Sequence, residues 1–238
     1  MTTRETVSGS LGLLSTLGVM GALQTLGPRY EREASITLAP QFGPTKELLE
    51  KIAAGAIADL AVLTAEAVDR LIAEGVMQPG SKVDLARSLV GIAVNRGARQ
   101  PDIGTTEAFR QALLDATSIV YSRAGASGIF FVDLIQRLGI ADAVNAKAIV
   151  VPNGFTAERL VSGEAEIAVQ QISELMTVPG VDIVGPLPAD IQQVTMFSAG
   201  IFSRSNRIGA ARAFVEFLAG RAAGSVFATS GLDPVGGQ

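Results

Sequence analysis

A chain of 238 residues with no Cys, His or Trp is long enough for a sizeable core in one or two lobes. It lacks the usual ligands for zinc and other transition metals, and it excludes thiol chemistry and His-based triads. Its net charge of −4 argues against a nucleic-acid binder, which carries a basic face. Any acid or base must be Asp, Glu, Lys, Tyr or water, and no metal or other cofactor is expected.

The first element is a strand over residues 7–14, followed by a turn at Ser15-Thr16 and a helix to about Tyr30. The uncharged stretch 6–28 could be mistaken for an export signal or a membrane span. Its five glycines dilute its apolarity, and Glu5 spoils a basic leader. No membrane span is expected.

Beyond it, strand and helix signals alternate. Strands are expected at 35–39, 59–63, 89–94, 119–121, 149–151, 167–169, 181–184 and 194–202. Helices are expected at 46–54, 64–74, 105–116, 129–138, 156–161, 209–218 and 222–229, several closed by a glycine such as Gly55, Gly75 or Gly139. Strands separated by helices predict an α/β fold with a parallel sheet and helices on both faces. The apolar runs 89–94 and 194–202 are expected to cross between a split first lobe, 1–88 plus 198–238, and an inserted second lobe, 89–197. A ligand cleft lies between them.

The segment YSRAGASG, 121–128, is a strand-to-helix turn rich in small residues. Such a turn aims free backbone N–H groups and the positive end of a helix dipole at one spot. Ser122 and Ser127 add hydroxyls, and Arg123 adds a guanidinium suited to a carboxylate. Ligands of open α/β sheets sit at the C-terminal ends of strands. The expected ligand-binding set is therefore Ser15, Thr16, Gly43, Thr45, Ser122, Arg123, Ser127, Asn153, Gln170 and Gln171, with no metal ligand.

The series LLSTLGVMGAL, FGPTKELLEKIAAGAIADLAVLT, SLVGIAVNRG, YSRAGASGIFFVDLIQRLGI, LVSGEAEIAVQQISEL and PGVDIVGPLP resembles the molybdate-binding-protein-like family over about residues 7–235. That family comprises bacterial substrate-binding proteins of ABC transporters with a type II periplasmic-binding-protein fold. The resemblance implies two Rossmann-like lobes joined by two crossover strands, and capture of a small anion by hinge closure. Within it, the aspartate of IAAGAIADL, Asp59, ends a helix–strand link.

The departures favour an organic di- or tricarboxylate over molybdate. Pro44 removes an N–H donor from the second loop, Gln170-Gln171 stands where a binding Tyr is expected, and Arg123 brings a full charge. LSTLGVMGAL, FGPTKEL and VQQISEL are closest to a branch that resembles aconitate isomerase, a cofactor-free enzyme. Two functions follow. One is a binding protein that serves an ABC permease if exported. The other is an isomerase of an unsaturated polycarboxylate, with Lys46 as the favoured base and Glu47, Tyr121 or Glu174 as alternatives. A monomer is expected, periplasmic if a signal peptide lies upstream or was removed and cytoplasmic as the sequence stands.

Overall fold

The computed structural model describes residues 10–235; the expected strand residues 7–9 lie outside them. Its first half runs β1 (Ser10–Thr16), α1 (Met20–Ala34), β2 (Thr37–Gly43), α2 (Thr45–Ala53), β3 (Leu60–Thr64), α3 (Ala65–Ala73) and β4 (Val83–Asn95). There follow α4 (Thr106–Asp115), β5 (Ile119–Ser122), α5 (Ala126–Arg137), α6 (Ala141–Asn145), β6 (Ala148–Val151), α7 (Glu158–Val161), β7 (Ile167–Gln171) and α8 (Ile172–Leu175). The chain ends with β8 (Val181–Pro186), β9 (Val194–Ile201), α9 (Ile208–Ala219), α10 (Arg221–Thr229) and β10 (Asp233–Pro234).

The strand order is β2-β1-β3-β9-β4-β7-β5-β6, with β8 and β10 also on β4. The outer strands of each lobe are parallel: β1 with β2 and β3, and β5 with β6 and β7. Every antiparallel pair involves β4 or β9. These are the two expected crossover strands. β4 pairs with β9 up to Leu89 and with β7 from Val90, so one strand is shared by both lobes. β9 is paired within the first lobe from Val194 onward.

The period of two along each strand builds a core on both faces. In β3, Leu60 and Val62 face a core with α1, α9 and α10, whereas Ala61 and Leu63 face one with α2 and α3. In the second lobe, Ile119 and Tyr121 pack against α4 and α5, whereas Val120 packs with Leu160 and Leu175.

Three expectations are corrected. α1 continues past Tyr30 to Ala34, and Pro28 sits on its exposed face. The carbonyl that the ring leaves without a donor can turn to water there. Ser35 ends the helix in the left-handed region at φ 54°, which moves β2 to Thr37. β4 starts six residues before the expected 89, because its first half carries Asp84, Arg87 and Ser88 and lacks a continuous apolar run. The short elements α6, α8 and β10 gave no periodic signal.

Candidate functional site

A cavity between the lobes is lined from the first lobe by Thr16, Leu17, Pro44, Thr45, Thr64 and Phe197. The second lobe contributes Ser122, Gly125, Ala126, Asn153, Gly154, Gln170, Gln171 and Glu174. All are at or next to strand C-termini except Phe197, which lies within β9.

Five of these residues are N-caps. Thr16 precedes a 3-10 turn, Pro44 precedes α2, Thr64 α3, Gly125 α5 and Gln171 α8, and none of the five makes a side-chain cap hydrogen bond. Among the described helices only α4 has a side-chain cap, Thr105, whose hydroxyl accepts from the Ala108 N–H at 3.1 Å; what distinguishes these five starts is that they open onto one cavity. The first turn of a helix has N–H groups without intrahelical partners and carries partial positive charge. Several uncapped helix starts around one cavity therefore make an anion site built of neutral donors.

The glycines of the 121–128 turn are explained by closeness. A Cβ on Gly125 would lie 2.9 Å from the Ser122 hydroxyl oxygen, and one on Gly128 would lie 1.5 Å from the Ser122 carbonyl oxygen. The helix start is thus drawn onto the strand end, with Ser122 buried beneath it.

Thr45 donates its hydroxyl hydrogen to the Thr16 hydroxyl at 3.2 Å, linking the first two loops. Gln170 is a strut. Its carbonyl oxygen accepts from the N–H and hydroxyl of Thr156 at 2.8 and 2.9 Å, and its amide donates to the Gly154 carbonyl at 3.0 Å. Gln171 donates to the Thr195 hydroxyl at 2.9 Å. Its own Oε1 is buried and finds no hydrogen-bond partner among the described residues.

Among the lining residues the one ionisable group is Glu174. It is buried, and burial pushes its carboxyl up to about 7, against the opposing pull of the Gln171 backbone and the Gln170 amide. Near neutral pH it can both take and give a proton.

Of the residues expected from sequence, the cavity brings together Thr16, Thr45, Ser122, Asn153, Gln170 and Gln171. Ser15 is fully buried and spends its hydroxyl on the Thr16 carbonyl at 3.2 Å. Gly43 ends β2, paired with Thr16, and Ser127 is buried in the first turn of α5; neither lines the cavity. Arg123 is exposed outside the lining, its N–H bonded to the Val151 carbonyl at 3.0 Å. Lys46 is also exposed and lines an outer groove instead.

Thr64 and Phe197 were missed. Thr64 shares with Thr16 a legible pattern, a small hydroxyl residue between a buried strand and a helix. Phe197 had no such signal: it reaches the cavity from β9, where its ring lies 2.3 Å from the position of a Cβ on Gly18.

The sequence matches the family of bacterial extracellular solute-binding proteins over residues 11–233. It is 36% identical over 235 residues to an aconitate isomerase of Pseudomonas sp., covering 96% of this chain and 89% of that one. The fold is similar to the periplasmic molybdate-binding protein of Azotobacter vinelandii, with a TM-score of 0.76, 16% identity and coverage of 93% and 98% of the two chains. It is likewise similar to the sulfate-binding protein SubI of Mycobacterium tuberculosis H37Rv, with a TM-score of 0.75, 16% identity and coverage of 95% and 87%.

Proposed function

The chain belongs to the bacterial extracellular solute-binding protein family, and from that premise we propose that its cleft takes a small organic di- or tricarboxylate and isomerises an unsaturated one by proton transfer through Glu174. Binding of a small anion is the family's common ground. The step to chemistry rests on a single observation. A buried carboxyl group, pushed up to about 7 by that burial, stands in the wall of a cavity whose other lining residues are all uncharged.

In its ionised form a carboxylate there repels an anion, so simple capture uses only the protonated form, as a hydrogen-bond donor. For a double-bond shift the same group is useful. Glu174 as carboxylate removes a proton next to a substrate carboxylate, and the electron pair spreads over the allyl system. The uncapped helix starts stabilise the developing negative charge. The acid form of Glu174 then returns the proton at the far carbon, and the carboxylate is regenerated. No redox step occurs and no cofactor is required. The likeness to aconitate isomerase supports this substrate class. Glu174 replaces Lys46 as the favoured base because Lys46 lies outside the cavity.

The cavity is narrow, about 20 Å³, roughly the room of one water. Ligand entry therefore needs the lobes to part. The natural hinge is β4 between Leu89 and Val90, where its pairing passes from β9 to β7, together with the chain before Val194.

A second reading is capture for a permease without turnover, favoured by the family itself and by structural neighbours named for molybdate and sulfate. Incubation of the purified protein with cis- or trans-aconitate in heavy water separates the two. Isomerised product, with or without solvent deuterium, supports the enzyme. Calorimetric binding with no isomer after long incubation at high protein concentration overturns turnover and leaves capture.

A further inference from the structure

We infer that the groove outside the inner cavity is a second subsite, in which Lys46 recognises the remote carboxylate of an elongated polycarboxylate. This rests on the carboxylate reading of the cleft and assigns Lys46 a role in specificity rather than in proton transfer.

The groove adjoins the inner cavity, for Thr45, Thr64 and Ala126 line both. It has a wall from each lobe: α2 and α3 on one side, and residues 124–129 on the other. It therefore lies at the rim of the cleft, flanked by both lobes. The inner cavity is small, about 20 Å³, whereas the groove beside it offers about 470 Å³, room for the part of a longer acid that extends beyond the inner donors.

The chemistry of the groove fits such a ligand. Leu49, Ala126 and Ile129 present apolar surface to a carbon chain, and Ile129 is 59% exposed. Lys46 sits at the edge. Among the described residues its ammonium has no ion-pair partner, whereas Lys51 is tied to Glu47 at 2.8 Å. The other cation of the groove, Arg70, is engaged by Glu74 at 3.6 Å. Glu50 is the one carboxylate in the lining and repels a second one. Lys46 is thus the cation of the groove without an ion-pair partner among the described residues. An ammonium on a flexible stem can follow the ligand as the lobes move.

The test is calorimetry with wild-type protein and Lys46→Met, Lys46→Glu and Lys46→Arg, using maleate as a compact dicarboxylate and propane-1,2,3-tricarboxylate as an elongated ligand. The expected result is a loss of at least about tenfold in tricarboxylate affinity for Lys46→Met, a larger loss for Lys46→Glu and partial rescue by arginine. Maleate affinity should change less than threefold. Unchanged tricarboxylate affinity in both Lys46→Met and Lys46→Glu overturns the subsite, as does an equal loss for both ligands. If wild-type protein binds neither acid, the carboxylate reading itself fails. Lys46 is exposed, so the variants should fold, and equal melting temperatures without ligand confirm it.

Discussion

Ser122 and Gly128 meet across the strand-to-helix turn so closely that a Cβ at position 128 would lie 1.5 Å from the Ser122 carbonyl oxygen. The neighbour is backbone, so it cannot rotate away as a side chain would. Gly128→Ala must push α5 off the end of β5. A destabilisation of about 3 kcal/mol or more is expected, with loss of ligand affinity because the uncapped start of α5 moves with it. Gly209→Ala, in α9 with nothing near its Cβ position, should instead be neutral or stabilise by about 0.5–1 kcal/mol. Urea unfolding of both variants checks this pair.

Glu174→Gln keeps the shape of the side chain and removes the exchangeable carboxyl proton. If Glu174 carries the proton, turnover of an unsaturated polycarboxylate should fall at least about 10²-fold. Affinity should hold or improve, because a charge that repels the ligand has gone. Single-turnover assays beside calorimetry separate the two effects. Equal turnover in the variant would exclude Glu174 as the base.

The same carboxyl makes stability depend on pH. Its folded-state pKa of about 7 stands above the ordinary 4.5. Below 4.5 it is protonated in both states and contributes no difference. Between 4.5 and 7 the unfolded chain releases the proton while the folded protein keeps it, so stability falls as pH rises. Above about 7 the fall levels off. The loss amounts to about 3 kcal/mol across that window. Other groups titrate too, so the quantity to measure is the difference between wild type and Glu174→Gln in urea at pH 4.5, 6 and 8. The variant should gain relative to wild type as pH rises; a flat difference would place Glu174 in a more polar setting than its burial indicates.

Much of this was legible because strand–turn–helix units announce themselves locally. Thr16, Thr45 and Ser122 were readable as small hydroxyl residues where a buried strand gives way to a helix. Thr64 has the same signature and could have been read with them. Arg123 was singled out by charge, which carries no direction: Ser122 is buried at the cavity while the next side chain is exposed outside its lining. Glu174 was visible only as one alternative, since its perturbation comes from burial in the folded protein. Phe197 and the first half of β4 depend on tertiary pairing, which leaves no local trace in the chain.

Asp59, at the end of the IAAGAIADL segment, fastens three parts of the first lobe. Its Oδ2 accepts from the Gly12 N–H at 2.7 Å and its Oδ1 from the Ser205 hydroxyl at 2.7 Å. Its backbone N–H donates to the Gly12 carbonyl at 2.9 Å, and its carbonyl accepts from the Phe202 N–H at 3.0 Å. Asp59→Ala should cost about 2–4 kcal/mol, since bonds to a charged acceptor contribute more than neutral ones and the Gly12 N–H is left unpaired. Asp59→Asn, which retains one acceptor, should cost less. Ligand affinity in the folded variants should stay close to wild type, because Asp59 does not line the cavity. Denaturation midpoints and calorimetry test the two halves separately.

Pro44 bears on which anion the cleft prefers. It lines the cavity as the N-cap of α2 with φ −57° and ψ 143°, a conformation that proline adopts without strain but in which it offers no N–H. A compact tetrahedral oxyanion held by neutral donors suffers from each donor lost, whereas an elongated carboxylate spreads its contacts over the cavity and the groove beyond. Wild-type protein should therefore be stabilised by a di- or tricarboxylate, by about 2.7 kcal/mol at a hundred times the dissociation constant, and little by molybdate at the same concentration. Pro44→Ala restores a donor and should raise molybdate affinity, at a stability cost of up to about 1 kcal/mol from the freer unfolded chain. Thermal-shift titrations of both proteins with both anions decide the matter. Molybdate binding tighter than every carboxylate tried, in the wild type, would reverse the assignment of anion class.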